Sequence, residues 1–375
     1  MLEDCLKGIR VLDLSQYLPG PYAAQILADL GAEVVKVEPP AGDPMRSFGP
    51  IDGDGLSAFY KLINAGKTVV RLDLKADEDK VAFSNLVAAA DVLVESFRPG
   101  ALDRLGFGPA VLKGLNSRLV HCALSGYGQT GPDALKAGHD LNYMALAGGL
   151  ASSGTVEAPV MAYPPTADFA SGQQAALTML AALLRRERNG EGAFLDVSLA
   201  ETVLAWQALP MTSALRPGHA PTRGEALLNG GAACYRIYET ADGKFVTLGA
   251  LEPKFWENFC RAAGDEAWID RQWEPLPQKA LIAEVAAAIA ERTRAEWERC
   301  LADVDTCFHP VLEPQEVPDH PQVAARGLVR RCEGADPRVE VRFPAFLDGE
   351  PAEPRRPLLE QDVSALLDRW RGPQS

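Results

Sequence analysis

Short apolar runs alternate with helical patterns along the first half of the chain. The run at 8–14 is typical of a buried strand, apolar residues follow at helical spacing over 22–30, and a second strand is predicted at 33–38. Further strand-like runs lie at 68–74, 91–95, 118–124 and 194–198. Strands that alternate with helices indicate βαβ units and a parallel sheet. We therefore expect an α/β fold with a doubly wound parallel sheet in this part of the chain.

The chain beyond residue 168 mixes helical patterns with a hairpin. Strand-like runs at 233–239 and 244–249 are separated by Thr-Ala-Asp-Gly, and Asp-Gly is a strong signal for a tight turn. A further strand is predicted at 306–312. Helical patterns are predicted at 170–187, 200–211, 256–263, 278–292, 294–302, 315–326 (with His320 near its centre) and 358–370. This mixture predicts a smaller α+β domain.

A chain of 375 residues is longer than one hydrophobic core usually supports, so two domains are expected. We predict a large domain over 1–205, a linker over 206–229, a small domain over 230–328 and a return to the large domain over 329–375. Proline and glycine around His219 fit a linker, and this histidine is expected to be exposed there.

The composition excludes several classes of protein. A formal net charge of −14 disfavours nucleic acid as a partner. No apolar run reaches the roughly 18 residues of a membrane span, and the acidic N-terminal stretch lacks the features of a secretory signal, so we expect no membrane partner and a cytoplasmic location. Seven cysteines occur without a Cys-x-x-Cys pair, and His-Glu-x-x-His is absent, so no metal site is predicted.

Two groups suited to proton transfer lie between Gly126 and Asp168. His139 and Asp168 each stand at the head of a predicted helix, behind a flexible loop. Histidine ordinarily titrates near neutrality, and a carboxylate at a helix N-terminus is held as the anion by unpaired N–H groups and the helix dipole. A histidine beside a glycine is more often structural than catalytic. On the residues alone, an acid/base pair and a structural histidine are both open.

The motifs around this pair resemble those of a known family. Gly126-Tyr-Gly-Gln-Thr-Gly-Pro132, Ala137-Gly-His-Asp-Leu-Asn-Tyr143 and Ala167-Asp-Phe169 are similar to motifs of the α-methylacyl-CoA racemases, within the class III CoA-transferase family. The resemblance covers nearly the whole chain. It includes the strand-helix-strand opening and the run Gly249-Ala-Leu-Glu-Pro-Lys-Phe255.

The resemblance implies an activity and a set of catalytic residues. The expected fold is a large Rossmann-like domain with a small α+β domain, in an interlocked homodimer that acts on acyl-CoA thioesters of fatty acid metabolism without a separate cofactor. His139 and Asp168 would move the proton at the carbon beside the thioester carbonyl, and so racemise 2-methylacyl-CoA through an enolate. Glu252 of the partner subunit would hydrogen-bond His139, and the backbone N–H of Asp140 would stabilise the enolate oxygen.

The same resemblance implies where CoA lies. Contacts with CoA are expected at Asn64, Ala65, Lys67, Arg98, Arg104, Gly138, His139, Asp140 and Tyr143. Arginine suits phosphate because its guanidinium donates two parallel hydrogen bonds. For Lys67, an exposed surface charge is an equal alternative.

Two other functions remain open. Transferases of the family use an aspartate at the position of Asp168 as a nucleophile and move CoA between carboxylic acids. Asp168 therefore does not separate the two activities, whereas His139 and Glu252 do, because the transferases generally lack that pair. A third interpretation is a CoA-binding protein without catalytic activity that senses the level of acyl-CoA.

Overall fold

The computed structural model describes residues 2–218, 220–332 and 338–371, and His219 lies outside them. The chain divides into two compact units. The large unit contains the chain up to Ala147, Tyr163–Ala205 and the chain from Pro318 onward. The small unit contains Gly148–Ala162 and Trp206–Val317. The stretch Gly148–Ala162, which lies within the predicted domain 1–205, thus groups with the small unit.

Fourteen strands within the described residues form four sheets. They are β1 (Arg10–Asp13), β2 (Glu33–Glu38), β3 (Thr68–Arg71), β4 (Val92–Glu95), β5 (Val120–Ser125), β6 (Ala193–Ser198), β7 (Tyr235–Glu239), β8 (Phe245–Gly249), β9 (Phe308–Pro310), β10 (Val329–Cys332), β11 (Arg338–Val341), β12 (Phe346–Leu347), β13 (Glu350–Pro351) and β14 (Leu359–Glu360). β7, β8 and β9 form an antiparallel sheet, and β10 with β11 and β12 with β13 form two hairpin pairs.

The remaining seven strands form one parallel sheet whose order reverses at its first strand. The order is β14-β3-β2-β1-β4-β5-β6, and every neighbouring pair is parallel. The chain winds outward on one side of β1 and then on the other, so β1 and β4 flank a topological switch point. In such sheets ligands bind beyond the carboxyl ends of the strands at that point. The predicted doubly wound α/β fold is confirmed.

The described residues contain fifteen α-helices. They are α1 (Pro19–Asp29), α2 (Ala58–Asn64), α3 (Asp77–Ala89), α4 (Ala101–Arg104), α5 (Pro109–Leu115), α6 (Asp140–Leu146), α7 (Gly149–Ser152), α8 (Thr166–Asn189), α9 (Leu199–Trp206), α10 (Ala208–Ala214), α11 (Pro253–Ala263), α12 (Lys279–Ile289), α13 (Arg294–Leu301), α14 (Pro321–Arg326) and α15 (Val363–Arg371). Across the part of the chain that is described, no helix combines the length and apolar character needed to cross a bilayer.

The long helix α8 is held in the large unit at both ends. Near its start it packs against α1, where a Cβ at Gly172 would lie 2.7 Å from the carbonyl oxygen of Pro19, so this close approach requires glycine. Near its end the buried Arg186 pairs with Asp91 just before β4, with 2.9 Å between Nη2 and Oδ1. The residues at the N-terminus of α8 therefore have a defined position relative to the sheet.

The C-terminal segment belongs to the large unit. β14 adds an edge strand beside β3, and α15 packs against α3, with Leu366 and Trp370 in the same hydrophobic core as Phe83. The Arg10 guanidinium also donates to the carbonyl oxygen of Trp370 at 2.9 Å. Strand β14, only two residues long, was not predicted from the sequence.

The small unit has its own aromatic core. The rings of Trp256, Phe259 and Trp297 stack in series, with centroids 5.8 and 6.3 Å apart. Each buried indole N–H has an acceptor: Trp256 donates to the carbonyl of Trp268 at 2.9 Å, and Trp297 donates to that of Ile289 at 2.8 Å. Satisfied indoles allow these large side chains to be buried without a desolvation penalty.

Prolines break one predicted helix and shorten another. The pattern at 200–211 forms α9 and α10 with a break at Gln207, because Pro210 has no N–H for the carbonyl of Trp206. The pattern at 315–326 forms a 3₁₀ turn at Val317–Asp319 and is α-helical only from Pro321, so His320 is the residue before α14 rather than the centre of a helix. The predicted strand at 306–312 likewise contracts to the three residues of β9.

Candidate active site

The loop before α6 presents His139. This histidine is the N-cap residue, with an extended backbone at φ −130°, and its N–H donates to Oδ1 of Asn142 at 3.0 Å. Asn142 is the third residue of α6, and its side chain accepts the N–H of the N-cap residue as in one of the two hydrogen bonds of a capping box. The imidazole is exposed, and its edge meets the ring of Tyr17 with centroids 6.1 Å apart.

Tyr143 packs against the loop before α6 and holds it in place. Its hydroxyl donates to the carbonyl of Gly138, and a Cβ at Gly138 would lie 2.8 Å from the Tyr143 ring. Glycine is therefore required beside His139 to let the tyrosine approach. Burial raises the pKa of Tyr143 to about 12, with Tyr127 and Asp168 acting in the same direction and Arg98 opposing them. The phenol accordingly stays protonated and donates at neutral pH.

Asp140 connects α6 to α8. Its Oδ1 accepts the N–H of Ala167 at 2.6 Å and the N–H of Asp168 at 3.1 Å. These are first-turn N–H groups of α8, which have no acceptor inside their own helix. Because His139 directly precedes Asp140 in the chain, the two bonds bring the start of α8, with Asp168, to the start of α6, with His139.

The Asp168 carboxyl is not held as the anion, contrary to the expectation from its place at a helix start. Burial raises the pKa of Asp168 to about 7, and the negative charge of Asp140 adds to this effect. The helix N–H groups that would stabilise the anion are bonded to Asp140 instead. Asp168 therefore exchanges a proton near neutral pH, as a general acid or base requires.

Tyr17 is a site residue that the sequence reasoning missed. It follows β1 at the switch point, in a loop tied to the loop after β4 by a 2.9 Å hydrogen bond from the N–H of Gln16 to Oγ of Ser96. Its φ of 62° lies in the left-handed region, which a bulky residue rarely adopts. Its place directly after the first strand of a doubly wound sheet was the signal that could have found it.

Two arginines follow β4, Arg98 in the loop and Arg104 at the end of the short helix α4. Arg98 and Arg104 are exposed, and the Arg104 guanidinium lies over Gly100, whose hypothetical Cβ would be 3.4 Å from Nη1. Gly100 has a φ of 75°, so the turn between the two arginines suits glycine. The structure thus gathers two positive charges at the switch point. Ala65 lines a cavity of about 660 Å³ in the large unit.

The side chains of Asn64 and Lys67 are buried and bonded within the protein, so they are not available as surface contacts. Lys67 is 1% exposed, and its ammonium donates to Asp13 Oδ2 at 2.9 Å, to Asn64 Oδ1 at 2.9 Å and to the carbonyl of Pro21 at 2.8 Å. All three of its donors are used. Lys67 is therefore neither a phosphate contact nor a surface charge, but the partner of a buried aspartate.

Glu252 is exposed at the start of α11, in the small unit. It is the N-cap residue with Pro253 as the first helical residue, as the sequence predicts, but its side chain does not cap its own helix. His139 lies in the large unit. An exposed carboxylate that its own helix does not use remains a candidate hydrogen-bond partner for another group.

Comparison with known proteins gives matches over nearly the whole chain. A family model described as CoA-transferase family III matches residues 6–363. Alpha-methylacyl-CoA racemase of Homo sapiens is 35% identical, covering 97% of this chain and 93% of the human protein. Acetyl-CoA:oxalate CoA-transferase of Acetobacter aceti is 32% identical, covering 98% of this chain and 96% of that protein.

Solved structures show the same fold. A CAIB/BAIF family protein from Brucella suis superposes with a TM-score of 0.84 at 28% identity, covering 97% of this chain and 99% of that one. Rv3272 from M. tuberculosis superposes with a TM-score of 0.79 at 31% identity, covering 96% of each chain. Both racemases and CoA-transferases are thus among the relatives.

The raised pKa of Asp168 predicts a pH-dependent gain of stability in Asp168→Asn. Folded Asp168 keeps its proton up to about pH 7, against a usual value of 3.8, so its favourable contribution is present at low pH and is lost as the pH rises through 7. The variant should raise the free energy of unfolding by about 1–3 kcal/mol at pH 8 and by little at pH 4. Denaturant unfolding at both pH values measures this.

The matched control is Asp368→Asn, which removes an exposed carboxyl on α15. It should change the free energy of unfolding by less than about 0.5 kcal/mol at either pH. An equal effect of Asp168→Asn at pH 4 and pH 8 would contradict the raised pKa.

Proposed function

Because the chain belongs to CoA-transferase family III, we propose that it is a racemase or epimerase of 2-methylacyl-CoA thioesters. The observation that carries this proposal is the Asp168 carboxyl, which is partly buried at the start of α8 and has a pKa of about 7. Both of its protonation states are populated at neutral pH. The same group can then remove a proton in one direction of the reaction and return one in the other.

Inversion of a carbon centre needs a second group on the opposite face. We assign this role to His139, whose exposed imidazole stands at the start of α6. The hydrogen bonds of Asp140 to α8 bring the two helix starts together. One of the two groups would take the proton next to the thioester carbonyl, and the other would deliver one.

The intermediate is an enolate, whose oxygen needs hydrogen-bond donors. Asp140 is the first residue of α6, so its backbone N–H has no acceptor within that helix. We assign this N–H to the enolate oxygen. An N–H fixed by a helix start requires no reorganisation as charge develops on the oxygen, which is the condition for electrostatic catalysis.

The switch point is the proposed site of CoA. Arg98 and Arg104 would bind its phosphates, since both are exposed in the segment that follows β4. The thioester end would then lie along the loop before α6. The proposed CoA contacts are Ala65, Arg98, Arg104, Gly138, His139, Asp140 and Tyr143.

We further propose a homodimer in which Glu252 of the partner subunit hydrogen-bonds His139. Large apolar side chains are exposed in the single chain, among them Leu184 at 68% on α8 and Leu209 at 76% on α10. Association of two chains through such side chains would remove them from water, which favours a dimer. A carboxylate bonded to imidazole fixes its tautomer and stabilises its protonated form.

A second candidate is CoA transfer, which transferases among the relatives support. Asp168 would then be a nucleophile that forms an aspartyl-CoA thioester. A pKa of about 7 counts against this role, because part of the carboxyl is protonated and non-nucleophilic at neutral pH. Proton transfer, by contrast, is favoured by that value.

Exchange of the α-proton tests the proposed activity. One enantiomer of a 2-methylacyl-CoA in heavy water should gain deuterium at C2 and lose its chirality. His139→Ala and Asp168→Ala should each slow the loss of chirality by at least about a hundredfold, because each removes a general acid–base group. Mass spectrometry measures the gain of deuterium at C2, and chiral chromatography measures the loss of chirality.

The control for this experiment is Asp133→Asn, which removes a loop carboxylate paired with Lys136 and should leave the rate unchanged. Absence of deuterium with several 2-methylacyl chains would reject the racemase.

Mixed dimers test the origin of Glu252. If Glu252 acts on His139 of the other subunit, a dimer of one His139→Ala and one Glu252→Gln subunit holds one intact pair. An equal mixture, after subunit exchange, should then recover about a quarter of the wild-type activity, since half of the dimers are mixed and each has one of two sites intact.

The unmixed variants provide the baseline for that measurement. Activity of the mixture equal to the mean of the two variants would show that Glu252 does not act across the dimer.

A further inference from the structure

The side chain of Asp140 has a role distinct from that of its backbone. One oxygen, Oδ1, accepts hydrogen bonds from two N–H groups in the first turn of α8. The distance to Oδ1 is 2.6 Å from the nitrogen of Ala167 and 3.1 Å from that of Asp168. The Asp168 carboxyl therefore stands at a helix N-terminus where two of the first N–H groups already have an acceptor. The side chain of the N-cap residue commonly accepts these N–H groups, but the N-cap of α8 is Pro165, which has no side-chain acceptor, so Asp140 supplies one from α6.

The other titratable groups packed against α8 do not share this role. α6 contributes Tyr143, and α1 contributes Tyr22, whose ring contacts that of Phe169 with centroids 4.9 Å apart. β5 and β6 carry His121 and Asp196. Of all these groups, Asp140 is the one whose charge acts on Asp168.

We propose, on the basis of the function proposed above, that the Asp140 carboxylate is a positioning residue for Asp168. It fixes the first turn of α8 and keeps the N–H groups of that turn from the Asp168 carboxyl, so that this carboxyl retains a proton for the reaction.

Two physical effects act in the same direction. A carboxylate that accepts two or three backbone N–H groups is strongly stabilised as the anion, and Asp140 denies Asp168 that stabilisation. The negative charge of Asp140 also opposes a second negative charge beside it. Both effects raise the pKa of Asp168, so that the carboxyl can act as an acid or as a base near neutral pH.

Substitutions at Asp140 separate charge from hydrogen bonding. Asp140→Asn keeps an acceptor oxygen for α8 but removes the charge. Asp140→Ala removes both and releases the N–H groups to Asp168. Asp140→Glu keeps the charge. Asp133→Asn removes a carboxylate that pairs with Lys136 in the preceding loop, and is the control.

The direct measurement is the titration of Asp168 by carbon-13 NMR of protein labelled at the aspartate carboxyls, with the Asp168 signal identified by its loss in Asp168→Asn. The midpoint should lie near pH 7 in the wild type and in Asp133→Asn. It should fall by about one pH unit in Asp140→Asn and further in Asp140→Ala, and should be restored in Asp140→Glu. Equal midpoints in the wild type and in Asp140→Asn and Asp140→Ala would overturn the proposal.

A merely structural role predicts a different result. The melting temperature would then fall in Asp140→Ala while the midpoint of Asp168 stayed the same in all variants. The pH dependence of the rate of α-proton exchange gives a kinetic readout. The part of that profile that reports the ionisation of Asp168 should shift by as much as the midpoint of the Asp168 titration. If the wild type exchanges no proton, the proposed function fails, but the midpoints still decide the role of Asp140.

Discussion

The candidate site depends on the hydrogen bonds that one carboxylate oxygen of Asp140 accepts from the start of α8. Each helix is anchored independently: α8 by its close packing on α1 and by Arg186, and α6 by Tyr143 beneath Gly138. Asp140 joins the two anchored helix starts, and so gives His139 and Asp168 a common location. The chemistry proposed here requires that geometry, because a proton moves only over hydrogen-bond distances.

Much of the architecture was predictable from local pattern. The strand at 33–38 was predicted and found with the same bounds, since the three valines between Gly31 and Pro39 favour a strand and the glycine and proline delimit it. The cap position of Glu252 followed from Pro253, which is favoured at the first position of a helix. The location of His139 and Asp168 at helix starts followed from the loops that precede them.

Long-range interactions were not predictable in the same way. Lys67 looks like a surface lysine before a strand, and its burial depends on Asp13, which lies 54 residues earlier in the chain. The pKa of Asp168 depends on burial and on Asp140, neither of which its neighbours in sequence reveal. The left-handed backbone of Tyr17 and the short edge strand β14 likewise arise from tertiary context.

We propose that this site moves a proton rather than CoA. The most direct test supplies both reactions at once: a 2-methylacyl-CoA of one configuration in heavy water, with a carbon-14-labelled free acid as acceptor. We expect deuterium to enter C2 and chirality to be lost, while the label stays in the free acid. Entry of the label into the thioester with C2 keeping its proton would contradict it and would identify Asp168 as the nucleophile of a transferase.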